Sequence, residues 1–209
     1  MSSLAPRYRK SHTFPGNAAS DEAHVVHIFL DYNCPFSTKL FLNYQDTVIP
    51  EVQTKFPNKF EFVFVNVVQP WHPNSQLAHE ASLAVANLAP EKFWAYSRAL
   101  FEAQESFFDT ATLNETRNET YKRLADIGTQ VGVDADAIYQ RVLIAPVAQG
   151  AKQSNAGNSV TPEIKYFTRL TRGLGIHVTP TVSIDGNVNA KIESSTPNGD
   201  FYKILQSYL

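Results

Sequence analysis

The chain has 209 residues, which is enough for one well-packed domain. Hydrophobic residues make up 43% of it and aromatic residues 12%, so it can form a globular core and disorder is not expected. Its formal charge of −2 at pH 7 predicts no general attraction to nucleic acid or to an anionic membrane. Its single cysteine excludes an internal disulfide framework and a cysteine-rich zinc site.

The sequence contains no apolar run long enough for a signal peptide or a membrane span. It therefore predicts a cytoplasmic, soluble protein with neither nucleic acid nor membrane as a partner. Both a monomer and a homodimer agree with this reading.

The first half of the chain predicts a βαβ unit. Residues 1–22 are polar and predict an arm laid over the domain. Residues 24–32 (HVVHIFLDY) and 60–68 (FEFVFVNVV) are apolar runs typical of buried strands, which the βαβ connection makes parallel. Between them Pro50 should kink or split a helix. Apolar residues at helical spacing predict its buried face: Phe41, Tyr44, Val48, Val52 and Phe56.

The second half predicts helices followed by a hairpin. Helices are expected to start near Asn74 or Ser75, at Pro90 and after Asp134, with a polar loop at 146–158. Another should run from Thr161 to the glycines at 173 and 175. A hairpin over 179–192 turns at Asp185-Gly186, and a short helix over 201–209 ends the chain.

The lone thiol lies where the first strand passes into a helix. Cys34 stands in FLDYNCPFSTKLF (29–41), and Pro35 suits the first turn of a helix because its missing N–H is no loss there. The unpaired N–H groups and the dipole of a helix N-terminus favour a thiolate over a thiol. Ser37 can donate a hydrogen bond to that sulfur. Cys34 and Ser37 are therefore the predicted catalytic residues, whereas a small buried hydrophobe is the alternative for Cys34.

These residues carry a family resemblance. FLDYNCPFSTKLF after a buried strand, with GIHVTPTVSIDGN (175–187) far downstream, resembles the thioredoxin superfamily. The stretch QPWHPNSQLAHEASLAVANLAPEKFWAYSRALF (69–101) is similar to the start of the inserted helical subdomain of its DsbA-like branch. The resemblance covers about residues 24–209 and implies an α/β, thioredoxin-like fold, in which helices flank a central mixed sheet. An α-helical insertion follows the second core strand.

The resemblance also implies boundaries and roles. The fold would comprise an arm (1–22), a first thioredoxin-like part (23–70), a helical insertion (71–160) and a second thioredoxin-like part (161–209). Cys34 matches the attacking cysteine of the Cys-x-x-Cys motif, and Thr179-Pro180 matches the cis-proline dipeptide facing it. The residues predicted to contact substrate are Pro35, Phe36, His177, Thr179 and Pro180.

Ser37 departs from the family pattern, because it stands where the resolving cysteine is expected. Without a second thiol the chain can form a mixed disulfide only with a substrate, and an external thiol must resolve it. The predicted activity is that of a monothiol thiol–disulfide oxidoreductase acting on a protein disulfide or a small thiol substrate. Glutathione would be its co-substrate, and no tightly bound cofactor is expected.

Three other functions stay open. A glutathione transferase or isomerase of the kappa type shares the architecture, but those enzymes typically have serine at the position of Cys34. A redox-inactive binding module would keep the fold without its chemistry, and a peroxide-sensing thiol would pass through a sulfenic acid. His72 can reach the cleft or pack the insertion. His72 and His79 lack a third ligand, so no metal is predicted.

Overall fold

The computed structural model describes residues 4–16 and 22–209 of the chain. Its strands are β1 (His24–Leu30), β2 (Phe60–Asn66), β3 (Thr181–Ile184) and β4 (Asn187–Val188), which form one sheet in the order β2-β1-β3-β4. β1 pairs parallel with β2 and antiparallel with β3, and β3 pairs antiparallel with β4. This mixed sheet with helices around it confirms the predicted α/β, thioredoxin-like fold.

The helical segment between β1 and β2 divides near Pro50, as predicted. Helix α2 (Pro35–Asn43) passes into a π-helical turn (Tyr44–Val48), and α3 (Ile49–Lys55) follows. Proline has no N–H to donate to the preceding turn, and its ring crowds the carbonyl four residues earlier. A wider π-helical turn just before Pro50 relieves this conflict.

Four further helices follow β2 along the chain: α4 (Ser75–Leu88), α5 (Phe93–Glu102), α6 (Arg117–Ile127) and α7 (Ala135–Val142). A 3-10 turn at Pro90–Lys92 leads into α5, and Asp134 caps α7 by accepting a hydrogen bond from the N–H of Asp136 (3.0 Å). The chain returns to the sheet through α8 (Thr161–Gly173) and ends in α9 (Asn198–Gln206). Among the described helices none is long and apolar enough to cross a bilayer.

The largest differences from the sequence prediction lie at the two ends. The described part of the arm contains a helix, α1 (Pro6–His12), in which Tyr8, Ser11 and His12 are buried. Residues 1–3 and 17–21 of that arm lie outside the described residues. The last helix begins at Asn198 rather than at 201, directly after Pro197. Regular pairing in the hairpin extends only from Thr181 to Val188.

Aromatic side chains fill the interface between the sheet and the helices. Phe64 of β2 lies at its centre, and several rings surround it: His12, Tyr32, Phe41, Phe93, Trp94 and Phe101. The ring of His12 stacks between Phe93 and Phe167, with centroid distances of 4.1 and 4.9 Å. Helix α1 is therefore part of the core.

Burial keeps two core histidines neutral. It lowers the pKa of His12 to about 3 and that of His27 to about 4. In the unfolded chain both rings would bind a proton below their ordinary pKa of about 6.5. The unfolded chain therefore binds more protons than the folded one in acid. As a result, the free energy of unfolding falls as the pH decreases from about 6.5 towards the lower pKa of the folded state.

We predict that His12→Gln weakens this dependence, because glutamine can still donate to Asn66 but cannot be protonated. Below about pH 6.5 the free energy of unfolding of the wild type should fall more steeply than that of the variant, by up to about 1.4 kcal/mol per pH unit. Urea denaturation of both proteins over this range measures the two slopes. Equal slopes would contradict a neutral, buried His12.

Candidate active site

Cys34 occupies the N-cap position of α2, directly beyond the end of β1. The backbone N–H groups of Ser37 and Thr38 both donate to its carbonyl oxygen (2.9 and 3.1 Å). Its side chain is 5% exposed, and its Sγ donates to the carbonyl oxygen of Thr179 at 3.3 Å. In this arrangement the thiol proton points to Thr179, and the sulfur accepts no capping hydrogen bond from the helix.

Ser37 is fully buried one turn into the helix. Its Oγ accepts a hydrogen bond from the backbone N–H of Asp31 at 3.3 Å, instead of the contact with the Cys34 sulfur that the sequence suggested. A hydrogen bond of 3.1 Å from the Cys34 N–H to the Asp31 carbonyl closes a tight turn. This turn brings the N–H of Asp31 close to the Ser37 hydroxyl. The hydroxyl proton of Ser37 stays available for donation.

The segment facing Cys34 contains three of the residues predicted to contact substrate, His177, Thr179 and Pro180. The Thr179–Pro180 peptide bond is cis. The side-chain N–H groups of Gln69 donate to the carbonyl of His177 and to Oγ1 of Thr179, both at 3.3 Å, and so hold this loop against the end of β2. The ring of His177 is bonded through Nδ1 to the Gly175 carbonyl (2.8 Å) and is otherwise exposed.

Three large apolar side chains near the predicted site residues in the sequence are exposed. Phe36 is 64% exposed, Trp71 60% and Val178 53%. Phe36 follows the cysteine by two residues, and Val178 precedes the cis-proline by two. Apolar surface beside a predicted nucleophile is typical of a surface that contacts another molecule.

A buried carboxylate lies behind the cysteine. The side chain of Asp31 is 0% exposed. Its Oδ1 accepts from the hydroxyl of Ser75 (2.6 Å) and from the N–H of Asn33 (3.2 Å), and its Oδ2 accepts from Nδ1 of His72 (2.5 Å). Burial alone would raise the pKa of Asp31, but hydrogen bonds from His79, Ser75 and His72 overcome it and hold the pKa below its ordinary value.

A second histidine reaches the same carboxylate in a fixed tautomer. The side-chain amide of Asn66 donates to Nδ1 of His79 (2.8 Å), so the proton of the neutral ring is on Nε2. That Nε2 lies 3.1 Å from the carbonyl of Val67 and 3.4 Å from Oδ1 of Asp31. Oδ1 of Asn66 in turn accepts from Nε2 of His12 at 2.9 Å. Buried polar contacts thus connect helix α1 to Asp31.

A cavity of about 280 Å³ lies beside Cys34. It is lined by the two residues that flank the cysteine, Asn33 and Pro35, by His72, and by residues 108–110. The side-chain amides of Asn33 and Asn74 both donate to the Phe107 carbonyl at 2.9 Å. These bonds fix the loop after α5 as the far wall of the cavity.

The structure brings Cys34 against Thr179 and places Pro35 at a cavity. The sequence had left His72 undecided between the cleft and the packing of the insertion, and its ring both lines this cavity and pairs with Asp31. Sequence reasoning missed Asp31 and Gln69. One signal was available for Asp31, because a carboxylate that directly follows a buried strand needs hydrogen-bond donors nearby.

Comparison with known proteins agrees with this architecture. The family model described as thioredoxin matches residues 12–205. None of the curated protein sequences matches the chain significantly. Among solved structures, a Pseudomonas syringae protein provisionally described as a protein-disulfide isomerase superposes with a TM-score of 0.71 at 21% identity, covering 95% of this chain and 99% of its own.

Two further structures are similar. Oxidised BdbD from Bacillus subtilis has a TM-score of 0.62 at 21% identity, with 95% of this chain and 92% of BdbD covered. MdbA from Actinomyces oris, a thiol-disulfide oxidoreductase, has a TM-score of 0.64 at 15% identity, with 93% of this chain and 84% of MdbA covered. At these identities the likeness shows a shared, DsbA-like fold.

We predict that Asp31→Asn destabilises the protein in a pH-dependent way. The contribution of the carboxylate is present above the ordinary aspartate pKa of about 3.9 and is lost as the pH falls through the lower pKa of the folded state. The free energy of unfolding of the variant should therefore be about 1–3 kcal/mol lower than that of the wild type near neutral pH. This difference should shrink in acid, and denaturant titrations of both proteins at several pH values measure it. A difference independent of pH would contradict an ionised Asp31.

Proposed function

The chain belongs to the thioredoxin family, and on this premise we propose that it is a thiol–disulfide oxidoreductase working through the single thiol of Cys34. The observation that carries the proposal is the position of that sulfur. It lies at the N-terminus of α2, 3.3 Å from the Thr179 carbonyl beside the cis-proline. A nucleophile at a helix N-terminus, facing a backbone edge that an extended peptide or glutathione can pair with, suits exchange of a disulfide.

The proposed reaction has two balanced exchange steps. The Cys34 thiolate attacks one sulfur of a substrate disulfide, a Cys34–sulfur bond forms, and the other sulfur departs as a thiolate that takes up a proton. Glutathione, again as thiolate, then attacks the mixed disulfide and releases Cys34. Two electrons pass from thiol to disulfide in each step, and every proton lost by an attacking thiol is regained by a leaving one.

The site supports this sequence in three ways. Ser37 keeps a hydroxyl proton that can turn to the sulfur once Cys34 ionises. The backbone of Thr179, exposed Phe36 and the loop at His177 can hold the substrate on either side of the sulfur. A reducing compartment such as the cytosol would supply the glutathione that replaces the missing second cysteine.

One observation favours a second candidate, a redox-inactive binding module. In the structure the Cys34 thiol is engaged in a hydrogen bond to the Thr179 carbonyl. Activation has to break it, and a protein without turnover would have no need to do so. In that case the apolar surface around Cys34 would bind a partner without exchanging a disulfide.

We predict that Cys34→Ser abolishes glutathione-dependent reduction of a glutathionylated peptide, since no other thiol exists in the chain. The wild type incubated with the peptide alone should gain the mass of one glutathionyl group on Cys34. A coupled assay for glutathione disulfide and intact mass spectrometry measure the two results. Equal turnover by wild type and variant would contradict the proposal, and unchanged peptide binding without turnover by either protein would support the binding module.

We predict that Ser37→Cys creates an internal disulfide with Cys34. Ser37 stands three residues after Cys34, where the Cys-x-x-Cys motif has its second cysteine, and its N–H donates to the Cys34 carbonyl at 2.9 Å. After mild oxidation the variant should lose both free thiols, and it should then oxidise a dithiol peptide without glutathione. Thiol titration checks this. Thr38→Cys, one position further round the helix, serves as the control and should keep its thiols.

A further inference from the structure

The paired side chains of Asp31 and His72 have no role in the exchange chemistry described above. Both lie near the cysteine motif. Asp31 is three residues before Cys34, and its carbonyl accepts the Cys34 N–H. His72 borders the same cavity as Asn33 and Pro35, the residues on either side of the cysteine. A titratable side chain therefore lines a cavity that adjoins the cysteine motif.

We propose that His72 is the general acid that protonates the departing thiolate, and that Asp31 is the positioning residue that holds its ring. This inference rests on the proposed exchange activity. The leaving sulfur enters the cavity between His72 and the Cys34 motif as its bond to the attacked sulfur breaks. The His72 imidazolium donates its proton to that sulfur, and the neutral ring regains a proton from solvent.

The contacts of His72 fix which nitrogen can do this. Its Nδ1 is 2.5 Å from Oδ2 of Asp31, so that Nδ1 keeps its proton as a hydrogen-bond donor in both charge states. The nitrogen that exchanges a proton is therefore Nε2, on the far side of the ring from Asp31. The side chain is 24% exposed, which lets water return the proton after each step.

The partners of Asp31 differ in their access to solvent. Nδ1 of His79 accepts from Asn66 and its side chain is 0% exposed, and Ser75 and the Asn33 N–H are uncharged donors. Among the described contacts of Asp31, the one side chain that can carry a compensating positive charge into solvent contact is His72. A buried carboxylate stabilises an imidazolium most when other donors fix its orientation, as in hydrolase triads.

Substrates whose leaving thiols differ in acidity distinguish a general-acid role of His72 from a structural one. A leaving alkyl thiolate is basic and gains from protonation, whereas an aromatic nitrobenzoate thiolate is a stable anion and gains little. His72→Asn suits the test, because asparagine can still donate to Asp31 from about the position of Nδ1 but has no group at Nε2. We measure single-turnover rate constants for adduct formation on Cys34 with a glutathionylated peptide and with a bis(nitrobenzoate) disulfide.

The expected result is a loss of about 10²-fold with the glutathionylated peptide and a change within about twofold with the aromatic disulfide. Asp31→Asn should show the same selectivity with a smaller loss. An equal loss with both disulfides, or no loss with either, would overturn the assignment. Urea denaturation of each variant checks its folding before the kinetics, and if His72→Asn does not fold, the conservative His72→Gln variant takes its place in the comparison.

The chain contains a matched control at the other end of β1. Nδ1 of His24 pairs with Oδ2 of Asp185 at 2.6 Å, the same pair of atoms as in His72 and Asp31, although Asp185 is 38% exposed. His24→Asn should leave both rate constants unchanged. If wild-type protein forms no Cys34 adduct and turns over no substrate, the proposed activity itself is wrong. If it turns over and His72→Asn keeps the wild-type ratio of rate constants, only the acid role is wrong.

Discussion

Burial of the Asp31 carboxylate imposes a constraint on the whole region around the cysteine. A charge removed from water must be matched by hydrogen bonds to both of its oxygens, or folding loses several kcal/mol. Its donors come from three segments: the turn after β1, the loop after β2 and the start of α4. Since each must arrive at a fixed distance, the carboxylate ties the cysteine turn to the first helix after β2.

The same turn determines what surrounds the Cys34 sulfur. Ser37 Oγ accepts from the Asp31 N–H, and the helix N–H groups of Ser37 and Thr38 bond to the Cys34 carbonyl. These backbone N–H groups are therefore engaged within the turn, whereas the Ser37 hydroxyl keeps its own proton. The sulfur itself donates to the Thr179 carbonyl. In the proposed reaction, a substrate that pairs with the Thr179 backbone would compete for that acceptor.

The sequence allowed the sheet, the division of the helix near Pro50 and the location of the cysteine to be predicted, because each depends on local pattern. Apolar runs define β1 and β2, and the proline ring acts within one turn. The partners of Asp31 could not be predicted, since His72, Ser75 and His79 reach it only after the chain has folded back over more than forty residues. Helix α1 was missed because three buried side chains, rather than a long amphipathic pattern, hold it.

A chain with one thiol makes particular demands on proton handling. In a dithiol enzyme the second cysteine attacks from a fixed position, and both reacting sulfurs stay on the protein. In the reaction proposed for this chain the mixed disulfide would wait for glutathione, whose thiol must ionise before it can attack. By microscopic reversibility, a group that protonates a leaving thiolate in the first step can deprotonate an entering thiol in the second. In the proposed scheme the neutral His72 ring, until solvent returns its proton, has an unprotonated Nε2 beside the same cavity. One histidine can therefore serve both steps, which supplies a chemical reason for a titratable ring next to a cysteine without a partner.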